Sequence, residues 1–152
     1  MTQATMNLSG NRFGKSAAGL VYAGLCLQVD DFQFPDPQWT DFVVVVLAWW
    51  CGALSRLLGG ERGPIEVRFM EGPFLVELGP VDQELVHLVL VEAGLKRRIC
   101  LDAEVDARPL IRSVLSATEK TLAECRSRNW WSDDADKLSA ASNALRQRFR
   151  EQ

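Results

Sequence analysis

The sequence predicts an α+β fold: an antiparallel sheet of about five strands, arranged as a meander, packed on a long buried central helix and on C-terminal helices. Three observations predict it. Residues 36–60, DPQWTDFVVVVLAWWCGALSRLLGG, hold the most apolar stretch and repeat at helical spacing. Residues 65–101 switch to period two between short turn signals. Residues 106–150 return to the helical period.

The central helix has clear sequence ends. Asp36 suits an N-cap, Pro37 the first helical position, and Gly59 and Gly60 a left-handed stop. Trp39, Phe42, Val43, Val46, Leu47, Trp50, Leu54, Leu57 and Leu58 fall on one face. Val44, Val45, Ala48, Trp49 and Cys51 cover part of the other, which predicts burial on more than one side.

Taken in order, residues 1–15 are polar and read as a flexible leader, with 16–152 forming a single α+β domain. Leu20–Val29 is apolar on both faces and reads as the first strand. Asp30–Pro37, DDFQFPDP, reads as a turn that exposes Phe32 and Phe34. After the helix, Ile65, Val67 and Phe69 alternate with Glu66 and Arg68. Glu71-Gly72-Pro73 turns the chain, and Phe74, Val76 and Leu78 alternate with Leu75 and Glu77. Gly79-Pro80 turns it again before a third run, Glu84–Glu92, and a fourth, Leu95–Leu101, entered through Lys96-Arg97-Arg98. Short turns favour antiparallel neighbours. From Asp106 to Arg128, the residues Leu110, Ile111, Val114, Leu115, Thr118, Leu122 and Cys125 form one stripe. Ser132 then reads as a cap, followed by Asp133 and Asp134 at the favourable dipole end, with Arg146, Arg148 and Arg150 at the other. The last stripe (Leu138, Ala141, Leu145, Phe149) is thin, which suits loose packing or a partner.

Composition narrows the function classes. The net charge of -3 gives no footprint for nucleic acid. Residues 30–92 hold eleven acids and three bases, a balance of -8, between ends of +2 and +3. Such a block steers a basic partner if its acids share a surface, and is an ordinary solvated face if they do not. The uncharged run Phe42–Ser55 is 14 residues, short of the ~20 that cross a bilayer. Cys26, Cys51, Cys100 and Cys125 are widely spaced, which fits free thiols in a reducing compartment, the cytoplasm, and gives no metal-ligand spacing. Arg12 and Lys15 before the apolar run Ala17–Leu27 keep export to the periplasm open as a minority reading, with cleavage after Ala23.

No catalytic, metal or cofactor motif stands out. His87, the lone histidine, has no partner at fixed spacing and reads as a satisfied strand residue. Cys100 lies on a neighbouring run but carries no protease signature. The glycines at 59, 60 and 63 follow a helix, where a phosphate cradle would precede one. Trp130-Trp131 reads first as a core corner and second as an anchor for a partner. Asp30, Asp31, Phe32, Phe34 and Asp36 mix carboxylates with aromatics, a pattern that suits a protein-recognition edge. Glu61, Glu66, Glu71 and Glu77 extend the negative surface if their strands lie at a sheet edge. The expected partner-binding set is Asp30, Asp31, Phe32, Asp36, Glu61 and Glu71.

The segment FPDPQWTDFVVVVLAWWCGALSRLLGG, followed by a strand ending FMEGPF, resembles small single-domain bacterial immunity proteins encoded beside polymorphic or contact-delivered toxins. The resemblance covers Phe34–Leu78, and no functional residue carries over. It implies a non-enzymatic protein that binds one cognate toxin as a heterodimer and blocks its active site. The acidic block agrees if that toxin is a basic nuclease. Two other classes stand beside it. One is a small-molecule-binding domain or enzyme with a pocket between sheet and helix, using His87, Tyr22 and Glu92. The other is an adaptor subunit that joins a larger assembly through its last helix and Trp130-Trp131, and a homodimer is compatible with each class.

Overall fold

A computed structural model describes residues 2–152, with side chains at all of these but 10 and 11. The chain is α+β. Its elements run β1 (Ala4–Lys15), β2 (Val21–Val29), β3 (Phe32–Phe34), β4 (Thr40–Asp41), α1 (Val43–Leu58), β5 (Ile65–Arg68), β6 (Phe74–Pro80), β7 (Leu85–Ala93), β8 (Arg97–Asp106), α2 (Ala107–Ser127) and α3 (Asp133–Arg150). The strands form two antiparallel sheets of four, where the sequence predicts one of about five. In sheet A, β2 pairs with β1 along its length and with β3 and β4 on its other edge. Sheet B is the expected meander, β5-β6-β7-β8.

The extra strands come from segments with strong local alternation. Ala4 and Met6 point into the core while Thr5 and Asn7 do not, so the expected leader is instead an edge strand paired with β2. The apolar run Ala17–Leu27 makes the turn out of β1 and most of β2. Phe32–Phe34 pairs with Val29–Leu27, which turns the expected DDFQFPDP loop into a strand. It buries Phe34 and leaves Phe32 exposed.

The central helix starts at Val43, six residues after the expected Pro37. Two interactions take the intervening residues. Asp36 uses its carboxylate to accept the Gln38 N–H (2.7 Å), a local turn that competes with helix. Asp41 and Thr40 then pair with Ala23 and Gly24, and Leu25 donates its N–H to the Trp39 carbonyl (3.0 Å). No side chain caps the backbone at Phe42, the residue before the helix; instead its own N–H is taken by Asp41 (2.7 Å).

α1 is the centre of the molecule. Val43, Val46, Leu47, Trp50 and Leu54 are completely or almost completely buried. The helix packs against β2, β5 and β6 on one side and against α2 and α3 on the other, which accounts for its apolar character around most of its girth. Cys51 and Thr118 meet across the α1–α2 contact (3.7 Å). Trp49 is the exception and stays exposed. One buried cluster draws on both sheets and all three helices. α3 does not pack loosely: Ala135, Leu138 and Leu145 are fully buried, and the Arg108 guanidinium lies over the Phe149 ring (4.7 Å). Ser132 caps it as expected, accepting the Ala135 N–H (3.4 Å).

Trp50→Ala removes a fully buried indole and is expected to lower the unfolding free energy by about 3–5 kcal/mol in urea titration. Trp49→Ala, on the exposed side of the same turn, is expected to cost less than about 1 kcal/mol, and equal losses would refute α1 as the core.

Candidate functional site

The most developed concavity, about 500 Å³, lies where the Pro35–Phe42 segment of sheet A meets the β5–β6 turn of sheet B. Asp41 is one of its lining residues. This carboxylate is 1% exposed and accepts four N–H groups. Two are local, the Trp39 indole (2.9 Å) and the Phe42 amide (2.7 Å). The other two are the amides of Met70 (3.1 Å) and Glu71 (3.4 Å) in the β5–β6 turn. A buried carboxylate held by several N–H donors offsets its desolvation, and here the donors also join the two sheets.

Beside Asp41 the aromatic side chains interlock. Trp39 meets Phe74 (5.3 Å, 82°) and Phe69 (6.3 Å, 80°) edge-on, and Phe34 meets the same two rings at 5.6 and 5.9 Å. Edge-to-face geometry adds attraction beyond the area buried. Gly72 is required under this knot, because a Cβ there would lie 2.8 Å from the Trp39 ring. The segments FPDPQWTD and FMEGPF therefore meet in space.

The opening is lined by Tyr22, Trp39 and Phe42 and by Asp36, Asp41 and Glu71, and no basic residue lines it. The Asp41 charge is spent on its donors. The carboxylates of Asp36 and Glu71 form no ion pair among the described residues. Tyr22 lies over Gly14, where a Cβ would fall 2.3 Å from the ring. Arg12 stands behind the wall and ties it from outside, donating to the Gln38 carbonyl (2.9 Å) and to the Thr40 hydroxyl. The chemistry on offer is aromatic faces beside unpaired carboxylates, which favours an organic cation.

Of the six residues of the expected partner set, two line the concavity. Asp36 and Glu71 share the concavity. Asp30 sits at the β2–β3 turn with φ of 51° and accepts the Gln3 N–H (3.1 Å), a structural use. Asp31 and Phe32 are exposed beside it. Glu61 follows α1 and is paired with Arg56. Glu66 and Glu77 are cross-strand neighbours, but Arg68 and Arg97 pair with them. Local bases thus cancel much of the acidic block, and the charge left unpaired at the sheet junction belongs to Asp36 and Glu71.

The residues of the pocket-enzyme alternative do not converge either. Tyr22 lines the concavity. His87 faces out of sheet B and pairs with Asp102 (2.6 Å), and Glu92 pairs with Arg98. Cys100 lies opposite Leu90 and Val91, three to four residues along β7 from His87 and so about 10 Å or more away. Trp130 packs against the core with Arg128 over its ring (5.0 Å), while Trp131 is partly exposed under Arg126 and donates to Asp136 (2.8 Å). Sequence reasoning missed Asp41 and the Met70 and Glu71 amides, since Asp41 falls inside the expected central helix and nothing local links it to a turn 29 residues on.

No protein-family model, curated protein or solved structure matches the chain. No helix of the described residues is long and apolar enough to cross a membrane.

Asp41→Ala strands the Met70 and Trp39 N–H groups and is expected to lower stability by about 3 kcal/mol or more in denaturant titration, whereas Glu71→Ala is expected to cost less than about 0.5 kcal/mol. Burial raises the thiols of Cys26 and Cys125 and pushes Cys51 up to about 11, so these stay protonated and slow to react. Iodoacetamide at pH 8 is expected to label Cys100 first; labelling of Cys51 in the folded protein at the same rate would contradict the packing of α1 on α2.

Proposed function

We propose that the protein is a non-enzymatic, immunity-type protein that binds a cognate bacterial toxin one to one and inserts a basic side chain of that toxin between Asp36 and Glu71. The observation that carries this reading is the concavity at the sheet junction. It is built on a rigid, fully hydrogen-bonded carboxylate, lined by aromatic rings and rimmed by two carboxylates with no ion pair. A pre-formed site of this kind costs little ordering on binding, and its sign speeds encounter with a basic surface. A basic nuclease is the toxin class that such a rim suits, with the carboxylates taking the place of phosphates. Four free thiols, three of them buried, agree with a cytoplasmic site of action.

Tyr22 in the same lining favours one rival, a small cationic metabolite bound by the same groups. The two readings part on size. A toxin reaches past the opening to the surrounding surface, and a metabolite does not.

Tagged protein is to be co-purified from its native host at low salt, as wild type and as the pair Asp36→Lys, Glu71→Lys. The proposal expects one stoichiometric, basic partner whose toxicity the complex suppresses, with recovery lost in the double variant and kept in Glu61→Lys. Equal recovery by the double variant would overturn the site. A co-purified metabolite that raises the melting temperature, with no protein partner, would overturn the immunity reading.

A further inference from the structure

We propose that the groove between α2 and α3 binds a phosphate group, either free phosphate or that of a small phosphomonoester. The sequence of α3 opens this groove. Leu138, Ala141 and Leu145 make its apolar stripe, and Ser139, Ser142, Asn143 and Arg146 stand beside that stripe. Together with Glu119 and Arg126 of α2 they line a hollow of about 260 Å³. Large apolar side chains at these positions would close it. Ser139, Asn143 and Arg146 are spaced i, i+4 and i+7 on α3, and Glu119 and Arg126 are spaced i and i+7 on α2. Each set therefore lies along one face of its helix. The arginines belong to the basic end of the chain, which no other part of the account uses.

The polar groups left free in the groove are donors. Arg146 gives one N–H to the Asn143 side-chain oxygen (3.1 Å) and another to the Glu119 carboxylate (3.0 Å). The one acid of the lining is thereby paired, and the amide of Asn143 is left with its NH2 group to offer. Ser142 is buried and spends its hydroxyl hydrogen on the Ser139 carbonyl (3.0 Å). The Ser139 hydroxyl, the Asn143 NH2 and the Arg126 guanidinium have no hydrogen-bond partner among the described residues. Arg126 has no ion pair among them either. Its guanidinium lies over the Trp131 ring (4.7 Å), and Asp136 fixes that ring by accepting the indole N–H (2.8 Å). Stacking holds a guanidinium by its face and leaves its N–H edge for an acceptor. Two arginines against one glutamate make the lining net positive. Donors in excess beside that charge suit an oxyanion. A carboxylate has two oxygens and satisfies one guanidinium fork. The several oxygens of a phosphate take Arg126 from α2 and Ser139 and Asn143 from α3 at once. The groove shares no residue with the concavity at the sheet junction, so it stands or falls apart from the toxin reading.

The test is a titration of nitrogen-15-labelled protein with sodium phosphate and, separately, with phenyl phosphate, at constant ionic strength. The Asn143 side-chain NH2 and the Arg126 Nε–H are the signals to follow. The proposal expects both to move along one saturable curve, with a matching rise in melting temperature. Tighter binding of phenyl phosphate assigns the natural ligand as a phosphomonoester, and tighter binding of inorganic phosphate assigns it as the free ion. Arg126→Gln is expected to raise the dissociation constant about 10-fold or more, since it removes a charged donor. Asn143→Asp sets a carboxylate among the donors and is expected to abolish binding. Both positions are exposed, so both variants are expected to fold. Arg68→Gln removes the same charge from sheet B and is expected to leave the affinity unchanged. Signals that respond to sodium chloride as they do to phosphate would overturn the proposal, and so would an affinity indifferent to both Arg126→Gln and Asn143→Asp.

Discussion

The carboxylate of Asp41 is withdrawn from water and held by four N–H groups, two from its own segment and two from a turn 29 and 30 residues further on. A buried charge of this kind is tolerated only while its partners stay in place. The constraint therefore runs both ways. Sheet B must present its β5–β6 turn to sheet A, and the Trp39–Asp41 segment must stay extended to reach it. The interlocked rings of Phe34, Trp39, Phe69 and Phe74 supply the apolar half of the same junction, and Gly72 gives Trp39 the room to enter it.

Several features follow from that one constraint. Drawing residues 40–41 into pairing with β2 delays α1 to Val43. The shortened helix packs on strands of both sheets instead of a single one, and it is buried by strands on one side and helices on the other. The concavity is what remains in front of the junction. Asp41 keeps its donors, so Asp36 and Glu71 at the rim are left without ion pairs next to aromatic faces, and it is on this remaining negative charge that the proposal of a basic partner rests.

The parts of the fold that were legible are those where period and burial agree. The meander of sheet B, the α2 stripe from Leu110 to Cys125 and the Ser132 cap all follow from side-chain spacing, because each depends on near neighbours. The alternation Ala4, Met6, Leu8 against Thr5, Asn7, Ser9 was also present, but its polar half made it look like a leader; only pairing with β2 makes it a strand. The start of α1 was hidden for the opposite reason. Asp36-Pro37 has the chemistry of a helix start, and a non-local bond from Asp41 to Met70 overrides it. At the site, Asp36 and Glu71 were legible as acids but not as neighbours, while the Glu66, Glu77 and Glu61 charges are cancelled by bases that sequence distance does not reveal.

The most direct measurement of the junction is amide hydrogen exchange at Met70 and Glu71. Both lie in a short surface turn, and Glu71 is exposed, so without the Asp41 carboxylate their amides would exchange as freely as those of other loops. The account predicts protection close to that of the core strands β6 and β7. Exchange as fast as in the exposed bend at Gly94–Lys96 would contradict it, and with it the pre-formed concavity on which the functional reading rests.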